Sequence, residues 1–112
     1  MIVIRNERLH VLGVGSRSSF CTFLNNGITK GSFRIKYLDN CYEIWCFGID
    51  SKYRGHKHGQ RMLCECLQMF DDMPIELGCL KNNHRALHIY QKFGFVIVRD
   101  CGEYYWMRKE VK

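Results

Sequence analysis

Residues 42–60 decide the fold, and they read YEIWCFGIDSKYRGHKHGQ. The first part, Tyr42–Asp50, is rich in aromatic residues and isoleucine, a composition typical of a β-strand. The second part is a basic loop that contains Gly55 and Gly59 and precedes a helical pattern. Glycines let backbone amides approach a ligand closely, and a helix N-terminus presents unpaired N–H groups with positive partial charge. The stretch therefore predicts a strand, a loop that can hold a diphosphate, and a helix.

The helical pattern runs over Gly59–Phe70, where apolar residues recur every three or four positions. This period predicts an amphipathic helix with one buried stripe. Pro74 follows and separates the helix from a short apolar strand at Ile75–Leu80. A second helix is predicted over Asn83–Phe93, because asparagine is a favoured N-cap and Gly94 lies just past the end.

Strands are predicted in the rest of the chain. A turn at Gly102 predicts a C-terminal hairpin of Phe95–Arg99 and Glu103–Arg108. The segments with strand character before residue 42 are 1–5, 8–14, 18–24 and 32–38, with turns at 26–27 and 39–40. Strand–helix–strand units join parallel strands, so the predicted class is α+β with a mixed, mostly antiparallel sheet. No linker or repeat interrupts the sequence, and we expect a single domain over residues 1–112.

Charge narrows the range of partners. The 112 residues carry a formal net charge of +6, which favours an anionic partner such as a phosphorylated cofactor, an acidic protein surface or nucleic acid. No nucleic-acid recognition motif accompanies the charge, so nucleic acid is not the expected partner. No apolar run reaches the ~20 residues of a membrane span. The start of the chain lacks the basic-then-apolar layout of a signal peptide, and we expect a cytoplasmic protein.

Cysteine and histidine spacing gives no sign of a metal site. Seven cysteines are present, an odd number, and no two are spaced as Cys-x-x-Cys. This argues against a disulfide framework or a zinc ribbon and favours free thiols in a reducing compartment. His84 and His88 could share one helix face, but no further ligand is apparent and no metal is expected.

Residues 82–95 form a second informative stretch, NNHRALHIYQKFGF. They match the pattern Asn-x-x-Ala-x-x-x-Tyr-x-Lys-x-Gly-Phe at every fixed position. In the basic loop the pattern Gln/Arg-x-x-Gly-x-Gly/Ala is matched by Arg54 and Gly59, while Lys57 replaces its middle glycine. In this order and spacing the two blocks resemble the GNAT superfamily of acetyl-CoA-dependent N-acetyltransferases. If the position of Lys57 requires a positive φ, a lysine there costs about 1 kcal/mol.

The resemblance implies how acetyl-CoA would bind. Members of the family hold it in a V-shaped opening between two central parallel strands, here Tyr42–Asp50 and Ile75–Leu80. The pantetheine arm pairs with the first strand and the pyrophosphate lies in the loop. The family also has helices after its first strand, and this region is too short for them here. The expected cofactor-binding residues are Phe47, Gly48, Ile49, Arg54, Gly55, His56, Lys57, His58, Gly59, Gln60 and Asn83.

Two side chains are candidates for catalysis. A lysine acceptor has a pKa near 10.4, so a base must remove a proton before the amine attacks. Glu43 is the candidate base, because its place before Ile49 resembles that of the base in the protein-lysine branch of the family. Strand alternation predicts that Glu43 shares a face with Trp45, Phe47 and Ile49. Tyr90, by its place in the second motif, would be the general acid for the departing CoA thiolate.

The acceptor and the class of function stay open at this point. An N-acetyltransferase acting on a primary amine is the leading hypothesis. A reduced N-terminal region favours an open site, which suits a protein lysine or N-terminus better than a metabolite. The alternatives are a GNAT-fold binding module without turnover, which Lys57 favours, and direct nucleic-acid binding by the basic surface. A monomer and a homodimer are both compatible with the sequence.

Overall fold

The computed structural model describes residues 7–13, 17–55 and 57–111. The predicted strand at 1–5 and the last residue of the predicted strand at 8–14 lie outside these residues. Within them the predicted elements are present in the predicted order, and the largest difference is that the third strand begins at Ile28 rather than Ser32. The strands and α-helices are β1 (Glu7–Gly13), β2 (Ser18–Asn25), β3 (Ile28–Tyr37), β4 (Tyr42–Ile49), α1 (His58–Met69), β5 (Ile75–Leu80), α2 (His84–Lys92), β6 (Val96–Asp100) and β7 (Tyr104–Lys109), and a short 3-10 helix (Ser51–Tyr53) follows β4.

The strands form one sheet in the order β1-β2-β3-β4-β5-β7-β6. Every neighbouring pair is antiparallel except β4 and β5, which are parallel and are joined by α1. The predicted mixed, mostly antiparallel α+β architecture is therefore confirmed. Only four residues separate β1 from β2, and the structure describes one of them, Arg17. None of the described helices is long and apolar enough to cross a membrane.

The two parallel strands separate soon after they meet. β4 and β5 pair only from Tyr42 opposite Ile75 to Ile44 opposite Leu77. Beyond these positions β4 stays paired with β3, and β5 stays paired with β7. The result is the V-shaped opening expected between the central strands.

A single hydrophobic core covers one face of the sheet. The helices contribute Met62, Leu63 and Cys66 from α1 and Tyr90 from α2, all of them buried. Because side chains alternate along a strand, every second residue of the central strands reaches this core. The fully or almost fully buried strand residues include Cys21, Phe23, Phe33, Ile35, Ile44, Ile75, Leu77, Cys79 and Met107.

A β-bulge in β4 corrects one prediction. Arg34 pairs with Trp45 and Ser32 pairs with Gly48, so the single residue between them on β3 faces two residues on β4. Cys46, one of those two, has a φ of 55°. An extra residue in one strand reverses the alternation beyond it. Phe47 and Ile49 therefore lie on the helix face, whereas Glu43 and Trp45 lie on the opposite face. The prediction that all four share one face is wrong.

The face opposite the helices carries polar and aromatic side chains, and no described helix covers it. We call it the open face. It presents the strand residues that alternate with the core positions. Its central members are Arg34, Lys36, Glu43, Trp45, Glu76, Gly78, Trp106 and Arg108.

Candidate functional site

A cleft of about 420 Å³ opens on the helix side of the diverging strands. It lies between the end of β4, the loop after it, and the first turns of α1 and α2. His56, one of the residues predicted to bind the cofactor, lies outside the described residues. The cleft brings the other ten together, namely Phe47, Gly48, Ile49, Arg54, Gly55, Lys57, His58, Gly59, Gln60 and Asn83. Residues separated by up to 36 positions in the chain thus line one surface.

The strand wall of the cleft offers backbone groups. Gly48 pairs with Ser32 of β3 along one edge of β4. On the other edge β5 has already diverged, so the groups of residues 47–49 that point away from β3 have no strand partner among the described residues. Strand backbone without a partner can pair with an extended ligand that carries amides of its own. This wall fits the predicted pantetheine position.

The loop wall is built around a helix N-terminus. Gly55 has a φ of 89°, and Lys57, the residue that precedes α1, has the left-handed values of φ 62° and ψ 18°. These turns lead into the first turn of α1, which lines the cleft and contains no acidic residue. Arg54 is exposed, and its Nε–H donates to the Ile49 carbonyl at 3.1 Å, which ties the loop to β4. The wall is suited to a diphosphate.

The backbone at Lys57 leads to a testable prediction. Position 57 is the one where the family pattern has glycine, and the positive φ there is the condition under which lysine costs stability. Lys57→Gly and Lys57→Ala both remove the ammonium group, but only alanine keeps the Cβ. We expect the glycine variant to be more stable than the alanine variant by about 1 kcal/mol, measured by urea unfolding. Equal stabilities would show that the left-handed conformation at this residue carries no strain.

The α2 wall begins with the predicted cap. The Asn83 side-chain oxygen accepts the Ala86 N–H at 3.2 Å, as an N-cap should. Four residues outside the predicted set also line the cleft, Tyr53, Arg85, Ala86 and Ile89. Arg85 lies at a variable position of the motif. The only feature of the sequence that could have indicated its place in the cleft is its positive charge beside a helix N-terminus. Tyr53 is covered by the Lys30 ammonium, 3.8 Å from the ring centroid.

Tyr90 lies at the inner end of the cleft. It is buried, and its ring contacts those of Phe47 and Phe95 with centroids 6.2 Å and 5.7 Å away. Its hydroxyl makes no hydrogen bond to any described residue. Burial raises the pKa of the hydroxyl well above its usual range, and the nearby thiols of Cys79 and Cys66 add to the rise. Tyr90 therefore keeps its proton at neutral pH, as a general acid must.

Glu43 lies outside this cleft, on the open face. The Trp45 indole N–H donates to its carboxylate at 3.0 Å, and Glu76 of β5 lies opposite it in the parallel pair. The strands begin to separate just beyond this pair. Glu43 and Tyr90 are therefore placed on opposite sides of the sheet.

Metal-ligating side chains do not cluster in the parts of the chain that the structure describes. His84 and His88 are both exposed on α2. Two imidazoles alone do not complete a structural or catalytic zinc site.

Solved structures of similar fold include several N-acetyltransferases. The PaiA N-acetyltransferase of Thermoplasma acidophilum, in complex with coenzyme A, has a TM-score of 0.74 and 20% identity, covering 84% of this chain and 61% of that one. The ribosomal-protein-S18-alanine N-acetyltransferase of Escherichia coli has a TM-score of 0.78 and 14% identity, with 88% and 72% covered. Arabidopsis thaliana Naa50, in complex with the bisubstrate analogue CoA-Ac-MVNAL, has a TM-score of 0.69 and 23% identity, with 81% and 72% covered.

These chains are longer than the present one, which spans about three fifths of the first and under three quarters of the others. At such identities they show the fold. A search of curated protein sequences finds no match. The sequence model of the acetyltransferase (GNAT) family matches residues 7–95, most of the chain. This agrees with the strand, loop and helix motifs and with the diverging parallel strands, and the chain belongs to the GNAT acetyltransferase family.

Proposed function

We propose that this protein transfers the acetyl group of acetyl-CoA to a primary amine carried by another protein. The observation that carries the proposal is the cleft at the divergence of β4 and β5. It combines strand backbone without a partner, a helix N-terminus with basic neighbours and a buried tyrosine at its inner end. These are the groups needed for an extended amide-bearing arm, a diphosphate and a leaving thiolate.

The two faces of the sheet would divide the chemistry. The Arg54–Gln60 loop and residues 47–49 hold acetyl-CoA on the helix side, with the thioester directed to the opening. The amine approaches from the open face, where Glu43 accepts its proton before the nitrogen attacks the thioester carbon. When the carbon–sulfur bond breaks, Tyr90 donates its proton to the thiolate. The place of Tyr90 at the inner end of the cleft supports the second role, and its raised pKa means only that the hydroxyl is protonated throughout the neutral range.

The uncovered open face supports a protein-borne acceptor. A small metabolite needs walls that surround it, whereas both described α-helices pack against the other face of the sheet. Trp45 itself is 41% exposed. A flat, accessible surface is suited to an amine on a larger molecule. Among the similar structures, one protein is named for an alanine of ribosomal protein S18 and another binds a peptide-containing analogue, which is compatible with this proposal.

The alternative function, a binding module that does not catalyse acetyl transfer, rests on Lys57. A lysine in the left-handed region strains the loop, and a weaker diphosphate site would suit a binding module better than an enzyme. The two proposals differ in one measurement. An enzyme releases CoA thiol from acetyl-CoA when lysine-containing peptides are added, whereas a module does not.

Binding of acetyl-CoA is the first test. A ligand that binds only the folded state stabilises it, by about 2.7 kcal/mol at 100 times its Kd. We expect the melting temperature to rise with acetyl-CoA concentration, and Arg54→Ala to need more ligand for the same rise. Arg8→Ala, which removes an exposed cation of β1, should respond like the parent. No shift for the parent at millimolar acetyl-CoA would contradict the proposal.

A further inference from the structure

Two tryptophans form a cluster on the open face. Trp45 of β4 and Trp106 of β7 are the only tryptophans in the sequence, and their ring centroids lie 5.9 Å apart. Gly78 of β5 pairs with Trp106, and a Cβ built on this glycine would lie 3.5 Å from the indole ring. The tryptophan pair thus lies beside the point where β4 and β5 diverge.

Each tryptophan is held by a carboxylate, but the two carboxylates differ. Trp106 donates to Glu76 at 2.5 Å, and Arg108 forms an ion pair with the same carboxylate at 2.6 Å. Glu76 therefore already has a cationic partner. Glu43 accepts the Trp45 N–H, and no cationic group of the described residues lies within 4 Å of it. Glu43 is left as the carboxylate that can pair with a further cation.

An ammonium group of the chain itself already lies against this cluster. The Lys36 Nζ is 4.9 Å from the centroid of the Trp45 ring, within the range of a cation–π interaction. Lys36 pairs with Glu43 across β3 and β4 and is exposed. Its position shows that this surface of Trp45, beside Glu43, accepts the end of a lysine side chain.

We infer that Trp45, Trp106 and Glu43 form a binding site for the alkylammonium group of an acceptor lysine, and that Lys36 is a built-in competitor for it. The inference rests on the proposed function and specifies its acceptor. To bind, the incoming lysine displaces the Lys36 ammonium from Trp45. Trp106 fixes the indole of Trp45, and Glu43 lies ready to receive the proton.

The charges around the cluster favour acidic neighbours of that lysine. Arg34 pairs with Trp45 and Arg99 pairs with Trp106, so both share the open face with the cluster. Both are exposed. Opposite charges across an interface favour association and like charges disfavour it. We therefore expect a lysine flanked by aspartate or glutamate to be preferred over one flanked by arginine.

Tryptophan fluorescence can test the site directly, because both tryptophans of the protein belong to it. The probe is n-butylammonium, an analogue of the lysine side chain, titrated at constant ionic strength, with n-butanol as the uncharged control. Lys36→Met removes the competitor, and we expect its Kd for the probe to be about two- to five-fold lower than that of the parent, the range of an exposed cation–π contact. Arg8→Met removes one positive charge from the same face, three strands away, and should bind like the parent.

Two further variants complete the test. Trp45→Leu should lose the response to n-butylammonium, and Trp45→Phe should keep a weaker one, with melting curves used to verify that both fold. In turnover, Lys36→Met should lower KM for a lysine peptide with acidic flanks. An equal or higher Kd for Lys36→Met, a response to n-butanol as large as that to n-butylammonium, or no response in either protein would overturn the inference.

The two proposals fail in different ways. If acetyl-CoA binds and lysine peptides are acetylated while Lys36→Met behaves like the parent, the competitor role of Lys36 is refuted and the proposed function stands. If acetyl-CoA produces no melting shift in the parent, the proposed function is refuted whatever the fluorescence shows.

Discussion

Glu43→Gln is expected to slow acetyl transfer by about 10²- to 10⁴-fold near neutral pH, the usual contribution of a positioned general base. Glutamine keeps the shape of the side chain and can still accept the Trp45 N–H, so the open face should be preserved. The loss should shrink as pH rises, because more of the acceptor amine is then already deprotonated. The measurement is a pH–rate profile from about pH 6 to about pH 9 with a lysine peptide.

Tyr90→Phe is the matched variant, since it removes a proton donor from the other side of the sheet. Phenylalanine keeps the ring contacts with Phe47 and Phe95. The raised pKa of Tyr90 means that the parent keeps this proton throughout the profile, so the defect of the variant should persist at high pH. It should ease with an acyl donor whose thiol leaves more readily. Parental rates for Glu43→Gln across the profile would remove Glu43 from the mechanism.

Gly31→Val is expected to cause the largest loss of stability. Gly31 is buried in β3 opposite Ile49, and a Cβ there would lie 2.7 Å from the Gly48 carbonyl oxygen and 2.5 Å from the Ile49 Cδ1. The Ile49 side chain can move, but the carbonyl belongs to the backbone of β4. Overpacking of this kind costs about 1–3 kcal/mol, and a loss of about 2 kcal/mol would lower Tm by roughly 10 °C.

The same substitution should weaken acetyl-CoA binding, because Gly48 and Ile49 form the strand wall of the cleft. Gly13→Ala is the control, since a Cβ at that strand position meets nothing within 4 Å. Its melting temperature should stay close to that of the parent. If Gly31→Val melted like Gly13→Ala and bound acetyl-CoA normally, the close approach of β3 and β4 at this point would be disproved.

Much of the cleft was predictable because its parts are local in sequence. The loop after β4 and the cap at Asn83 each depend on a few consecutive residues, and the described loop residues and the cap lie where the motifs put them. The positive φ at Lys57 could also be anticipated, because the family pattern has glycine there. Arg85 and Tyr53 were missed because nothing in their immediate neighbourhood indicates which way they face.

The sequence of β4 alone could not predict which of its side chains lie on which face of the sheet. Strict alternation of side chains predicts that Glu43 lies on the same face as Phe47 and Ile49. The bulge at Cys46 breaks this alternation, and it depends on β3, where Phe33 faces two residues of β4. Its ring lies 5.6 Å from that of Phe47. A bulge is set by the pairing of two strands that are distant in sequence, so no single-strand pattern predicts it.

By itself the sequence determined the order of strands and helices, the position of the basic loop between β4 and α1, the cap of α2 and the family, because hydrophobic period and short motifs are properties of neighbouring residues. Only the tertiary structure decided that Glu43 and Tyr90 lie on opposite faces and that Lys36 lies over Trp45 beside Trp106. Lys36, Trp45 and Trp106 come from β3, β4 and β7, which are brought together by the order of strands in the sheet. Contacts between strands far apart in the chain follow from pairing and twist, and those are fixed by the whole core rather than by any local segment.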